Sequence, residues 1–137
     1  ADSGIEIGAH TATHADLGTI RDRRVLRHEL VDSTRQLEDL IRRKVRYFAF
    51  PYGQYVNRTS TAFLIARDAG FEAVCSAYGG YNYPGDDPFH LQRFHADPGM
   101  LRVKNRVTID PRMAKTLRFC PTTADARSSN PGVECVG

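Results

Sequence analysis

The sequence has no tryptophan, no apolar run near the ~18 residues that cross a bilayer, and only three cysteines. Cys75, Cys120 and Cys135 are odd in number and share no short spacing. That argues against a disulfide framework and against a cysteine zinc site. Cys75 lies inside an apolar run and reads as a small buried residue. No signal peptide opens the sequence, and no internal repeat is found. Neither sign of charge dominates: 19 Lys and Arg face 16 Asp and Glu, a formal charge of +3. The arginines from Arg21 to Arg46 are spread along a helical pattern, so they read as a solvated helix face rather than a nucleic-acid patch.

What is present is ordinary for one soluble globular domain: 41% hydrophobic and 26% charged residues in 137 positions. Ile5 and Ile7 alternate with Glu6 and Gly8, which predicts a short strand running into His10. The strand begins almost at the first residue, as if the chain opened in mid-domain. Leu26, Leu30, Thr34, Leu37 and Ile41 recur every three or four residues, predicting an amphipathic helix over Asp22 to Arg43. Arg46 to Phe50 reads as a strand, stopped by the turn residues Pro51, Tyr52 and Gly53. A second helix is expected from an N-cap at Asn57 or Thr59 to Asp68 or Ala69, with Gly70 as the left-handed residue that ends it. Phe71 to Ala77 reads as a strand, Tyr78 to Pro88 as a loop, and Leu91 to His95 as a last strand. Strands alternating with helices place the chain in the α/β class. The domain is expected over 1–118, with 119–137, rich in Pro, Thr, Ser, Asn and Gly, as a poorly ordered tail.

The first constellation of chemical interest is Gly8-Ala9-His10-Thr11-Ala12-Thr13-His14-Ala15-Asp16-Leu17. Two histidines four apart at a strand end can aim both imidazoles at one point if the segment turns helically. On spacing alone they read equally well as solvated or capping residues. The second constellation, Phe48-Ala49-Phe50-Pro51-Tyr52-Gly53, follows 34 residues after His14.

Together, in this order and separated by a long helix, these segments resemble the second and third motifs of the polysaccharide deacetylases, carbohydrate esterase family four. The resemblance covers roughly residues 4 to 95. It implies part of a distorted (β/α)7 barrel lacking its first strands, and similarity to an exopolysaccharide-associated subgroup. It implies a metal-dependent hydrolase that removes acetyl groups from N-acetylated sugars of a polysaccharide or oligosaccharide. His10 and His14 would be two of three protein ligands to a divalent metal, usually zinc, with Thr11 holding the loop by hydrogen bonding. Pro51, Tyr52 and Gly53 would form a groove wall, with the Tyr52 backbone N–H in an oxyanion hole; an aromatic at a turn is the plainer reading of Tyr52.

The match has gaps. The family's aspartate pair, third ligand and general base, lies N-terminal to the histidine motif, and only nine residues precede His10. The chain therefore reads as an N-terminally truncated and weakly active or inactive fragment. Asp2 lacks the strand context, and Asp86-Asp87, within Pro84-Gly85-Asp86-Asp87-Pro88, reads as turn chemistry. Many members carry an arginine where this chain has Ala49; Arg93 would supply that guanidinium, or be a surface or structural arginine. His95 is the candidate for protonating the leaving amine, with His90 as rival and an exposed loop histidine as the alternative. The family's Asp/Trp motif is not recognisable.

Two rivals remain beside the enzyme: a noncatalytic carbohydrate- or partner-binding remnant, and a hydrolase of a small amide or O-acetyl ester. Self-association through an uncovered sheet edge is expected of the truncated form. The resemblance suggests the cell envelope or secretion, and a cytoplasmic location stays open.

Overall fold

The computed structural model describes residues 4–77, 80–94, 103–104 and 108. The expected long helix is present, but in three contiguous pieces: α1 (Arg23–Arg27), a π-helical segment (His28–Asp32) and α2 (Ser33–Ile41). Asp22 starts it as an N-cap, its side chain accepting from the Arg24 backbone N–H. Arg42, with φ 55°, closes it in the left-handed conformation. β1 (Tyr47–Ala49) follows, then a 3-10 turn (Tyr55–Asn57), α3 (Ser60–Asp68), β2 (Ala73–Cys75) and a second 3-10 turn (Pro88–His90). Thr59, not Asn57, caps α3 by accepting from the Ala62 N–H, and Gly70 adopts φ 84° just past its end.

β1 and β2 pair in parallel, Tyr47 to Ala73, Phe48 to Val74 and Ala49 to Cys75. Two single parallel bridges extend this pair: Ala9 against Phe48 on one side, Leu91 against Cys75 on the other. The crossover between the two strands contains α3, which is the α/β arrangement expected from the alternation. The first and last expected strands shrink to those bridges. Ile5 is 67% exposed, so its alternation with Ile7 marks no buried face among the described residues. His95 and residues 119–137 lie outside the described residues.

The core explains which sequence signals mattered. Phe48 and Phe50, two apart at the end of the central strand, are buried and meet edge to face at 5.2 Å. Phe71 packs on Phe48 from the entry to β2, and Phe63 of α3 packs on Phe50. Leu26 and Leu30 seal the cluster from the long helix, with Ile65 and Ala66 from α3. Cys75 is only half-buried; burial pushes its thiol pKa up, with Arg93 opposing. No described helix is long and apolar enough to cross a membrane.

Candidate metal centre

The candidate site forms where the Ala9 bridge and β1 end side by side. Ala9 donates to the Tyr47 carbonyl at 2.8 Å and accepts from the Ala49 N–H at 2.9 Å, which fixes the backbone leading into His10. The His10 Nδ1 then lies 2.7 Å from the Ala49 carbonyl. A carbonyl only accepts, so Nδ1 carries the proton and the neutral ring keeps its lone pair on Nε2. That backbone anchor is the kind of outer contact that sets the tautomer and direction of a metal-binding imidazole.

The chain next makes a tight loop in which Thr11 (φ 67°) and His14 (φ 59°) are both left-handed. Non-glycine residues hold this conformation only where their surroundings impose it. The imposing group is Glu29, whose Oε2 accepts from the Ala12 and Thr13 N–H groups at 2.9 and 3.0 Å. Its Oε1 accepts from the Thr13 hydroxyl at 2.8 Å. The loop brings the rings of His10 and His14 to 4.9 Å, edge on. Thr11 does not play the holding part expected of it. Its hydroxyl is buried without a hydrogen-bond partner among the described residues, and Thr13 with Glu29 does that work.

The third side of the site is the Pro51–Tyr52–Gly53 turn. Tyr52, also left-handed (φ 58°) and half exposed, places its ring 4.9 Å from that of His14. Gly53 (φ 68°) is required on two counts: a Cβ there would meet Ala77 backbone and side chain at 2.7 Å. The turn is tied to the residues just past β2 by Ala77 N–H to Gly53 carbonyl at 2.8 Å. A second tie joins the histidine loop to the residues after the turn. Asp16 accepts from Gly18 N–H through Oδ1 and from Asn57 Nδ2 through Oδ2, at 2.9 and 2.8 Å. Gln54 continues that link by donating to the Ala77 carbonyl.

The remaining candidates separate. Arg93 donates to the Phe50 carbonyl at 2.6 Å, which places its guanidinium at the end of the central strand, beside the turn. Arg46 forms an exposed ion pair with Glu72 at 2.8 Å, away from this loop. Asp86 accepts from the Tyr83 N–H and Asp87 caps the second 3-10 turn, so both carboxylates serve turns. His90 is buried and stacked on Phe63, and burial, with Arg58 nearby, lowers its pKa to about 4. At neutral pH it is an uncharged core residue, which sets it apart from a proton donor. His95 is not among the described residues.

The donor set fits a divalent metal in part. Two exposed imidazoles converge, one with a fixed tautomer, and an open face suits a metal that must also take water and substrate. No group of three His, Cys, Asp or Glu that could hold an ion occurs among the described residues. Sequence reasoning missed Glu29 and read Asn57 only as a candidate helix cap. The signal for Glu29 was present: it lies three residues after Leu26 and beside Leu30, on the stripe expected to be apolar.

The family model described as polysaccharide deacetylase matches residues 1–74, more than half of the chain. Among solved structures, the chain is similar to the Streptococcus pyogenes deacetylase PplD in complex with acetate. The identity is 24% and the TM-score 0.59, over 68% of this chain and 39% of that one. It is also similar to a polysaccharide deacetylase from Bacillus cereus, with 23% identity and a TM-score of 0.54, over 68% of this chain and 28% of that one. At these identities the likeness is one of fold. The chain thus corresponds to well under half the length of either structure. No curated protein matches.

Proposed function

From the premise that the chain belongs to the polysaccharide deacetylase family, we propose that it carries part of the active site of a metal-dependent de-N-acetylase acting on an N-acetylated polysaccharide. The observation that carries this reading is the cluster of His10, His14 and Tyr52, with ring centroids 4.9 Å apart in sequence along it and His10 tethered to the strand end. His10 and His14 would hold the divalent ion, most readily zinc, as two neutral imidazole donors. When bound, such an ion supplies Lewis acidity toward the acetamide carbonyl and a water of lowered pKa.

The chain's own residues would do the rest. The Tyr52 backbone N–H, held in an enforced left-handed turn, would donate to the developing oxyanion. Pro51, Tyr52 and Gly53 would wall the sugar groove. Arg93, braced on the Phe50 carbonyl, would orient a carboxylate base, and His95 would protonate the departing amine. The exopolysaccharide-associated subgroup fits Ala49, small where other members carry an arginine.

A noncatalytic carbohydrate- or partner-binding remnant is the second reading, for which the half-exposed Tyr52 of the Pro51–Gly53 turn would supply the contact surface. Acetate release from an N-acetylglucosamine oligomer with zinc present separates the two. The assay compares this chain with a version extended N-terminally by a strand bearing an aspartate pair, each with and without His14→Ala. Activity confined to the extended form and abolished by His14→Ala supports the deacetylase. No release from either form favours the binding remnant. Release unaffected by His14→Ala overturns the assignment.

A further inference from the structure

Glu29 is a carboxylate at 5% exposure in the middle of the long helix that runs from Arg23 to Ile41. A helical glutamate normally faces water, and burying its charge is unfavourable unless hydrogen bonds compensate. Here the helix departs from α geometry where Glu29 is buried. Across His28–Asp32 the turns widen to π geometry, with the Ser33 N–H reaching back to the His28 carbonyl. Glu29, Leu30 and Val31, three consecutive residues within this segment, are all buried. Single π turns are uncommon within helices and are frequent at functional sites.

The side chain points into the histidine loop. Its carboxylate accepts three hydrogen bonds, all from Ala12 and Thr13, the residues between Thr11 and His14. Burial by itself would raise its pKa, but the Thr13 and Ala12 hydrogen bonds outweigh that and hold it below the ordinary carboxylate range. Glu29 therefore stays an anion, matched to two backbone N–H groups and a hydroxyl.

We propose that Glu29 is a positioning residue for the candidate metal centre: its carboxylate clamps residues 12 and 13 so that the left-handed His14 turns its imidazole onto His10. The inference rests on the reading of His10 and His14 as metal ligands for its consequence, though not for its geometry. Without the clamp, nothing else among the described residues accepts from the Ala12 and Thr13 amides, and the strained loop relaxes.

The test uses the whole chain with Glu29→Gln, Glu29→Ala, Thr13→Val and, as control, Thr34→Val. The control removes a buried hydroxyl bonded to the Leu30 carbonyl in the same helix, clear of the loop. Two readouts are taken on variants shown to be folded by circular dichroism. One is metal-free: the nuclear Overhauser contact between the His10 and His14 rings, with amide exchange at residues 12 and 13. The other is zinc affinity by calorimetry.

In Glu29→Ala the ring contact should vanish and zinc binding weaken about 10–100-fold, the range for loss of an outer-shell partner. Glu29→Gln keeps one acceptor oxygen and should lie between it and the wild type; Thr34→Val should lower stability only. If Glu29→Ala does not fold, Glu29→Gln and Thr13→Val decide the matter. Folded variants with an intact ring contact and wild-type affinity overturn the proposal. If the wild type itself binds no zinc, the metal reading fails, and the ring contact still decides the role of Glu29.

Discussion

Replacing Gly18 by alanine should separate the two loops that build the site. A Cβ at Gly18 would lie 1.8 Å from the Val56 carbonyl oxygen and 2.8 Å from the Asn57 Cα. Both are backbone atoms, so no flexible side chain can yield. Restoring an ordinary contact of about 3.2 Å requires the loops to part by about 1.4 Å. Overpacking of this kind costs about 1–3 kcal/mol. The same displacement stretches the 2.8 Å bond from Asn57 Nδ2 to Asp16, and a hydrogen bond to a charged group is worth about 1.5–3 kcal/mol. The two losses share one movement, so a total of about 3 kcal/mol is expected, or a Tm lower by roughly 10 °C for a chain this size. Urea unfolding followed by circular dichroism measures it. The opposite sign is the alternative, because Gly18 is not among the positive-φ glycines. Without the clash, alanine would stabilise by about 0.4–1 kcal/mol through the unfolded chain. A neutral or stabilised Gly18→Ala variant refutes the close approach of these loops.

Stability should also depend on pH through His90, whose pKa falls from 6.5 to about 4 on folding. The unfolded chain takes up this proton first, so stability is full above pH 6.5 and declines as pH falls toward 4, by on the order of 3 kcal/mol. His90→Phe should flatten that slope in urea titrations between pH 7 and 4, and an unchanged slope would assign it to other groups. Thr59→Ala removes the α3 cap, in which the hydroxyl accepts from Ala62 N–H at 3.1 Å, and should cost about 1 kcal/mol. A loss below about 0.3 kcal/mol by the same urea assay would show that the cap contributes little.

Much of this arrangement is legible in the residues. The period of Leu26, Leu30, Thr34 and Leu37 marked the long helix, and the Pro51–Gly53 turn marked the end of the central strand. Gly70 ended α3 for the reason glycine usually does. The strand ends were less legible. Alternation at Ile5 and Ile7 signals a strand only where a neighbour covers one face, and the described residues supply just the Ala9 bridge. The π turn was not legible because the spacings of four from Leu26 to Leu30 and from Leu30 to Thr34 are those of an ordinary α-helix. Within the site, His10, His14 and Tyr52 announce themselves by residue type. Glu29 is marked only by its place beside Leu26 and Leu30 on the stripe expected to be apolar, and its role shows only when its acceptors are seen to face the loop. Thr11 and Thr13 were likewise indistinguishable by type, and only the backbone path of the loop assigns the hydrogen bond to Thr13.

The central claim is that His10 and His14 act together as metal donors, and zinc calorimetry on the chain and its single variants tests it most directly. The wild type should bind one zinc weakly, because two imidazoles without a carboxylate leave the ion short of protein ligands. His10→Ala and His14→Ala should each abolish that binding, while His90→Phe, buried against Phe63, leaves it unchanged. Equal affinity in the wild type and in His14→Ala would contradict the account.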